Sequence, residues 1–138
     1  MAGKGDVIEG FGGFRLTLVQ TGDETDGELL EMEAFYPGDG PAPPEHLHPR
    51  QDEHFEVLEG SIALRVGHEH RTVPAGESFD IPRGTVHTMG PAGGPARIRW
   101  EVRPALRTEE FLTQMPAEFS ERLAHIQRFS EEFRLAGF

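Results

Sequence analysis

Residues 40–60 read GPAPPEHLHPRQDEHFEVLEG and combine turn-forming residues with possible metal ligands. The stretch contains three of the chain's seven histidines, four of its eleven prolines and five acidic residues. Its proline-rich first half predicts turns and extended backbone, because proline fixes φ and restricts the residue before it. Its second half alternates apolar and polar residues from Glu53 to Leu58, which predicts a strand with one face buried.

The H-x-H pair at His46 and His48 is arranged to present two imidazoles on the same side of the chain. Residues i and i+2 of an extended segment point the same way, and Pro49 favours extended geometry at His48. Glu53 has the wrong parity for a straight strand, so we expect PRQD at 49–52 to form a turn or bulge that corrects it. His54 then falls on the opposite face, as a solvated or interface side chain.

A fourth ligand is expected from IPRGTVH at 81–87, where Pro82 and Gly84 form a turn that delivers His87 into a strand. The residues alone leave two interpretations open. One is a site for a metal ion held by nitrogen and oxygen ligands. The other is ordinary structure, in which His87 is a hydrogen-bonded strand residue and the other histidines lie in a solvated loop.

The remaining histidines favour structural roles. His68 and His70 form a second H-x-H, but they lie in GHEH between two strand-like runs, which is typical of a solvated hairpin turn. His125 follows Glu121 by four residues on a predicted helix, where a surface i, i+4 contact explains it.

Apolar and polar residues alternate in most segments before residue 105, which predicts many short strands. The expected strands are Phe14 to Thr21, Leu29 to Tyr36, Glu53 to Leu58, Ile62 to Val66, Arg71 to Val73, Ser78 to Ile81, Val86 to Met89 and Arg97 to Arg103. Glycine or proline interrupts the chain between them. Seven to nine such strands indicate an all-β fold, a barrel or a sandwich.

After Pro104 the apolar period becomes helical. A short helix is expected over Thr108 to Met115, with Thr108 as a plausible N-cap, and a longer one over 117–136. The apolar stripe of the longer helix consists of Phe119, Leu123, Ile126 and Phe133. We expect this tail to cover the sheet or a partner subunit, and we predict a homodimer because the stripe needs cover.

Composition limits the function classes. The 138 residues predict a single domain over 1–138, with a barrel at about 14–104 and C-terminal helices at about 108–136. The formal net charge of −11 disfavours nucleic acid and anionic membranes as partners. No apolar run approaches the roughly 20 residues of a membrane span, and the polar N-terminus predicts a cytoplasmic protein. Because the chain has no cysteine, any metal must bind nitrogen and oxygen.

Two spaced motifs resemble those of the cupin family. The first, G-x5-H-x-H-x(3,4)-E-x6-G, matches at every fixed position, namely Gly40, His46, His48, Glu53 and Gly60. The second, G-x5-P-x-G-x2-H-x3-N, matches at Gly76, Pro82, Gly84 and His87, with Pro91 in place of the family's asparagine. The departure leaves the histidine and carboxylate positions intact and bears only on the turn after His87.

The resemblance implies an antiparallel, jelly-roll-like β-barrel of six to eight strands with one open end. It also implies one divalent metal ion held by His46, His48, Glu53 and His87, without choosing among Fe, Mn, Ni, Co and Zn. Three imidazoles and one carboxylate leave positions on such an ion for water or a small-molecule substrate.

Three functions are compatible with that resemblance. The first is a metal-dependent dioxygenase or related oxidoreductase acting on a small chelating organic molecule, since some cupin dioxygenases use three histidines and one carboxylate. The second is a metal-dependent isomerase or epimerase of a sugar-like substrate, and the third is a non-catalytic small-molecule binder. Met89 and Trp100 are the expected substrate-binding residues, because strand parity turns both toward the interior.

Overall fold

The computed structural model describes residues 3–9, 13–38 and 43–136, apart from the side chain of Phe119. Gly40 of the first motif therefore lies outside the described residues. The strands are β1 (Val7–Glu9), β2 (Arg15–Gln20), β3 (Leu30–Tyr36), β4 (His46–Leu47), β5 (Asp52–Glu59), β6 (Ser61–Val66), β7 (Glu69–Pro74), β8 (Ser78–Ile81), β9 (His87–Pro91), β10 (Ala96–Arg103) and β11 (Arg134–Leu135). The helices are α1 (Thr108–Thr113) and α2 (Phe119–Arg128), and a 3-10 turn spans Asp23–Thr25.

The strands form two antiparallel sheets. One has six strands in the order β1-β2-β3-β10-β5-β8, and the other has five in the order β11-β4-β9-β6-β7. The architecture is the jelly-roll-like, all-β fold expected from the sequence. The expected barrel of six to eight strands with one open end differs in detail, since the strands divide into two separate sheets, and short strands such as β4 and β11 raise the number of described strands above eight.

The core lies between the sheets and is built by the alternation seen in the sequence. In β3, Leu30, Met32 and Ala34 are buried, and Trp100 and Ile98 of β10 pair with Met32 and Ala34 respectively. β5 lies on the other side of β10 and contributes the buried side chains of Phe55 and Val57. β10 is therefore, with β3, one of the two central strands of the six-stranded sheet.

The C-terminal segment departs from the predicted helices in two ways. α2 ends at Arg128 instead of continuing to residue 136, and the chain turns back to form β11. Thr108 is the first residue of α1 and not its N-cap; its hydroxyl receives a hydrogen bond from the Gln51 amide at 2.7 Å. Neither described helix is both long and apolar enough to cross a membrane.

Candidate metal centre

Four predicted ligands come from three strands and the turn between two of them. His46 begins β4, His87 begins β9, and these two residues are direct partners across the antiparallel pair. His48 follows β4, and the chain then turns at Pro49 and Arg50 before Glu53 enters β5 of the opposite sheet. The turn expected at 49–52 is thus present, and it aims Glu53 at the histidines across the space between the sheets.

The Nδ1 atom of each imidazole is held by a backbone carbonyl. The distances are 2.9 Å from His46 to the Pro44 oxygen, 2.7 Å from His48 to the Glu132 oxygen and 2.9 Å from His87 to the Thr85 oxygen. A carbonyl can only accept, so Nδ1 carries the hydrogen and the Nε2 lone pair of the neutral ring stays free. The three rings supply nitrogens that lie within 4.8 Å of one another.

The Glu53 carboxylate completes the cluster. Its Oε1 lies 3.1 Å from His48 Nε2 and 3.3 Å from His87 Nε2, yet it is buried and receives no hydrogen bond of normal geometry among the described residues. Its Oε2 accepts a 2.7 Å hydrogen bond from the Trp100 indole. Nitrogen and oxygen acceptors therefore converge without a donor between them, and this arrangement needs positive charge.

Electrostatics in the cluster give Glu53 and His46 the protonation states that a metal requires, whereas a metal must compete with a proton at His48. Burial lowers the pKa of His46 to about 4, so its ring is neutral at pH 7. Burial raises the pKa of Glu53, but His48 and His87 outweigh this effect and bring it down to about 2. Burial likewise lowers the pKa of His48, yet the Glu53 carboxylate and the Glu132 carbonyl together raise it above its usual value. The carboxylate is thus ionised and draws a cation to this point.

A cavity of about 590 Å³ adjoins the cluster and reaches the C-terminal helices. Its walls are mainly apolar, and no lysine or arginine occurs among the described residues that line it. Its aromatic side chains are Phe14, Tyr36, Phe55, Trp100, Phe111 and Phe133. Burial, followed by the Glu53 charge, raises the pKa of Tyr36 to about 12, so the phenol remains a neutral hydrogen-bond donor.

The structure brings His46, His48, Glu53 and His87 together, and it places Met89 and Trp100 in the cavity wall. The other histidines lie elsewhere. His54 is on the outer face, where its Nδ1 lies 2.7 Å from Asp80, and His68 and His70 are exposed around the β6–β7 hairpin.

The expectation for His125 is wrong. This residue is buried, its Nε2 donates to the Phe111 carbonyl at 2.8 Å, and its ring stacks on Phe111. It therefore joins α2 to α1 from the interior. The i, i+4 spacing after Glu121 is compatible with either face of a helix, and only the position of α1 decides between them.

Sequence reasoning missed the contribution of the C-terminal tail to the cavity. Phe111, Phe133 and the backbone carbonyl of Glu132 all reach the site, although they belong to the segment expected to cover a sheet or a partner. The apolar stripe was the available signal, because Ile126 and Phe133 line the cavity.

Comparison with known proteins identifies the family. The cupin-domain family model matches residues 31–100, which is about half of the chain. The protein belongs to the cupin family.

The match to one curated protein covers less than half of the chain. Over 61 residues the chain is 33% identical to the tetracenomycin polyketide synthase protein TcmJ of Streptomyces glaucescens, and the match covers 44% of this chain and 41% of TcmJ. The chain thus matches about two-fifths of that relative's length.

Solved structures share the fold at low identity. KdgF from Halomonas sp. superposes with a TM-score of 0.62 at 19% identity, covering 72% of this chain and 86% of KdgF. A predicted oxalate decarboxylase from Thermotoga maritima has a TM-score of 0.64 at 14% identity, covering 75% and 99% of the two chains. These likenesses establish the fold.

Proposed function

We propose that this cupin is a metal-dependent oxidoreductase of the dioxygenase type, acting on a small, largely apolar molecule that can chelate the ion through oxygen. The observation that carries the proposal is the convergence of three imidazoles and the Glu53 Oε1 atom with no hydrogen-bond donor between them. Protein interiors rarely leave a buried carboxylate oxygen without a partner, so the arrangement favours a cation.

A bound divalent ion supplies Lewis acidity and open coordination positions for oxygen-bearing reactants. Hydrogen bonds within this chain hold the ligand atoms in position for it. The Nδ1 bonds hold the His46, His48 and His87 rings in one tautomer. Glu53 offsets one unit of positive charge, and the Trp100 indole holds its second oxygen. The apolar walls exclude water and strengthen the interactions at the centre.

The cavity supports an uncharged or weakly charged substrate with apolar rings. Its aromatic walls offer flat surfaces for stacking, and the described lining residues include no lysine or arginine to neutralise a phosphate. The neutral Tyr36 phenol can donate to one oxygen of such a molecule. The partial match to a tetracenomycin polyketide synthase protein adds support, because polyketides are organic molecules whose oxygen atoms can chelate a metal ion.

The same walls disfavour the isomerase or epimerase of a sugar-like substrate. A sugar carries many hydroxyl groups, and each needs a polar partner when it leaves water. Away from the metal cluster, the described lining offers few side-chain partners, chiefly the hydroxyls of Tyr36 and Thr108 and the buried Glu132.

Oxygen consumption tests the proposal. Protein loaded anaerobically with Fe(II) is mixed with a panel of aromatic diols, diketones and flavonoids, and O2 uptake is followed with an electrode. We expect uptake with at least one compound, loss of that uptake in His48→Ala, and retention in His54→Ala, whose side chain lies outside the cluster. Uptake no greater than that of metal-free protein contradicts the dioxygenase. A compound that binds tightly and is recovered unchanged supports the non-catalytic binder instead.

A further inference from the structure

The last described residues, 129–136, fold back onto the H-x-H pair. β11 pairs with β4, with Leu135 opposite His46 and Arg134 opposite Leu47. The Ala136 amide donates to the Glu45 carbonyl at 2.9 Å, which extends the pairing by one more bond. The segment thus forms the edge of the five-stranded sheet beside the strand that carries His46.

This segment provides the hydrogen-bond acceptor for one of the three imidazoles. His46 and His87 each bond to a carbonyl two residues earlier in the chain, so their rings are held by local structure. His48 bonds instead to the Glu132 carbonyl, 84 residues away, at 2.7 Å. The tautomer and orientation of His48 therefore depend on the position of the C-terminal segment.

Phe133, the next residue in the chain, covers the rings of His46 and His48. The Phe133 ring stacks on His46 with centroids 4.6 Å apart, and it meets His48 edge-on at 5.7 Å. It also stacks on Phe111 of α1, with centroids 5.0 Å apart. Phe133 thus limits the rotation of both imidazoles and transmits the packing of α1 to them.

An ion pair between the buried Glu132 carboxylate and the exposed Arg107 side chain sets the position of this segment. The Glu132 side chain is 2% exposed, and its carboxylate lies 3.2 Å from the Arg107 guanidinium and accepts from the Arg107 amide at 3.2 Å. Arg107 also donates to the Arg128 carbonyl at the end of α2. Because a buried carboxylate needs a charged partner, this pair strongly favours one placement of residue 132.

We propose that Glu132 and Phe133 are positioning residues of the metal centre, which orient His48 and His46 for coordination from outside the region matched by the family model. The inference rests on the proposed function, in that the histidines are taken as metal ligands. Partners that hold a ligating histidine by its other nitrogen typically change metal affinity about 10- to 100-fold when altered.

The first measurement needs no metal. Long-range ¹H–¹⁵N spectra of metal-free protein, recorded at a pH above the raised pKa of His48, report which nitrogen of each neutral imidazole carries the hydrogen. We expect the Nδ1–H form of His48 in the wild type and tautomer mixing at His48 in Phe133→Leu and Glu132→Gln, while His87 is unchanged. Glu131→Gln is the matched control, because Glu131 is a neighbouring carboxylate that is exposed and pairs with Arg50. Unchanged His48 signals in both variants would overturn the positioning role.

The second measurement is metal affinity, from competition with a chromogenic chelator at a temperature where circular dichroism shows every variant to be folded. We expect Phe133→Leu and Glu132→Gln to bind the metal at least about tenfold more weakly than the wild type. Phe133→Tyr keeps the aromatic ring and is expected to retain most of the affinity, and Glu131→Gln is expected to match the wild type. Wild-type affinity in folded Phe133→Leu and Glu132→Gln would refute the inference while leaving the proposed function intact. A wild type that binds no divalent ion would refute the proposed function, while the metal-free spectra would still decide whether residues 132 and 133 hold the imidazoles.

Discussion

Glu53 illustrates how single atoms determine the chemistry of this centre. One of its oxygens faces His48 and His87, and the other accepts the Trp100 indole hydrogen at 2.7 Å. Trp100 was expected to bind substrate, and it does line the cavity, but its polar atom is directed at the carboxylate. The indole therefore fixes which Glu53 oxygen points at the histidines.

Replacing Trp100 with phenylalanine tests this arrangement. The change keeps a ring that can stack on Phe55, whose centroid lies 5.8 Å from that of Trp100, but removes the donor to Glu53. We expect metal affinity to fall about 10- to 100-fold, because the carboxylate loses the group that orients it. Chelator competition measures the effect, and Phe14→Leu serves as the control, since Phe14 lines the same cavity and its ring contacts Tyr36. Equal affinities for Trp100→Phe and wild type would contradict the orienting role.

The sequence was sufficient for residues whose partners are near in the chain or follow strand parity. The spacing of His46, His48 and Glu53 predicted that these side chains meet, because the turn at Pro49 and Arg50 brings the carboxylate to the face of the two histidines. The Glu132 carbonyl could not be predicted in the same way. Its contact with His48 joins residues 84 positions apart and involves a backbone atom, which carries no side-chain signature.

At the scale of elements, tight hairpins set the register of the strands that carry the site. Gly60 joins β5 to β6 with φ of +74°, a conformation that L side chains rarely adopt. A Cβ placed there would lie 2.2 Å from the Pro95 carbonyl oxygen. The close approach of the β9–β10 connection to this turn explains physically why the first motif ends in glycine.

Gly60→Ala therefore combines backbone strain with a clash against the main chain, and we expect it to lower the free energy of unfolding by about 3 kcal/mol or more. Gly67→Ala is its control, because Gly67 joins β6 to β7 with φ of +60° and an added Cβ would meet no described atom within 4 Å. We expect about 1 kcal/mol there, from strain alone. Urea denaturation measures both, and equal losses would show that the Pro95 contact is unimportant.

Strands were predicted more accurately than helix ends. Alternating residues and glycine or proline breaks mark β2, β3, β5, β6 and β10 closely. The end of α2 at Arg128 has no such signal in the sequence. The residues that follow, FSEEF at 129–133, contain no glycine or proline to stop a helix. The tertiary contacts of Glu132 and Phe133 end the helix there, and contacts of this kind are not visible as periodicity.

At the scale of the molecule, two sheets and a folded-back tail enclose an apolar cavity, and the buried Glu53 carboxylate lies beside it. The formal charge of −11 also favours a cation over an anion. The homodimer remains a prediction for sedimentation analysis. The apolar stripe favours it less strongly than expected, because Ile126 and Phe133 line the chain's own cavity, whereas Leu123 is 44% exposed.

A ligand that binds only the folded state stabilises it by mass action. If the cluster holds one ion, a concentration a hundredfold above Kd adds about 2.7 kcal/mol to the free energy of unfolding and raises Tm by roughly 10 °C. Differential scanning calorimetry with and without Fe(II), Mn(II), Co(II), Ni(II) and Zn(II) measures the shift. We expect His87→Ala to abolish most of it and His70→Ala, on the exposed hairpin, to preserve it. An equal shift in both variants would place the ion elsewhere.

The most direct test of the account is the metal content of purified protein, by inductively coupled plasma mass spectrometry, in the wild type, His48→Ala and Glu53→Ala. The account predicts close to one divalent ion per chain in the wild type and loss of most of it in either variant, with circular dichroism confirming that all three are folded. A wild type that stays metal-free after incubation with divalent ions, or variants that keep the full complement, would contradict it.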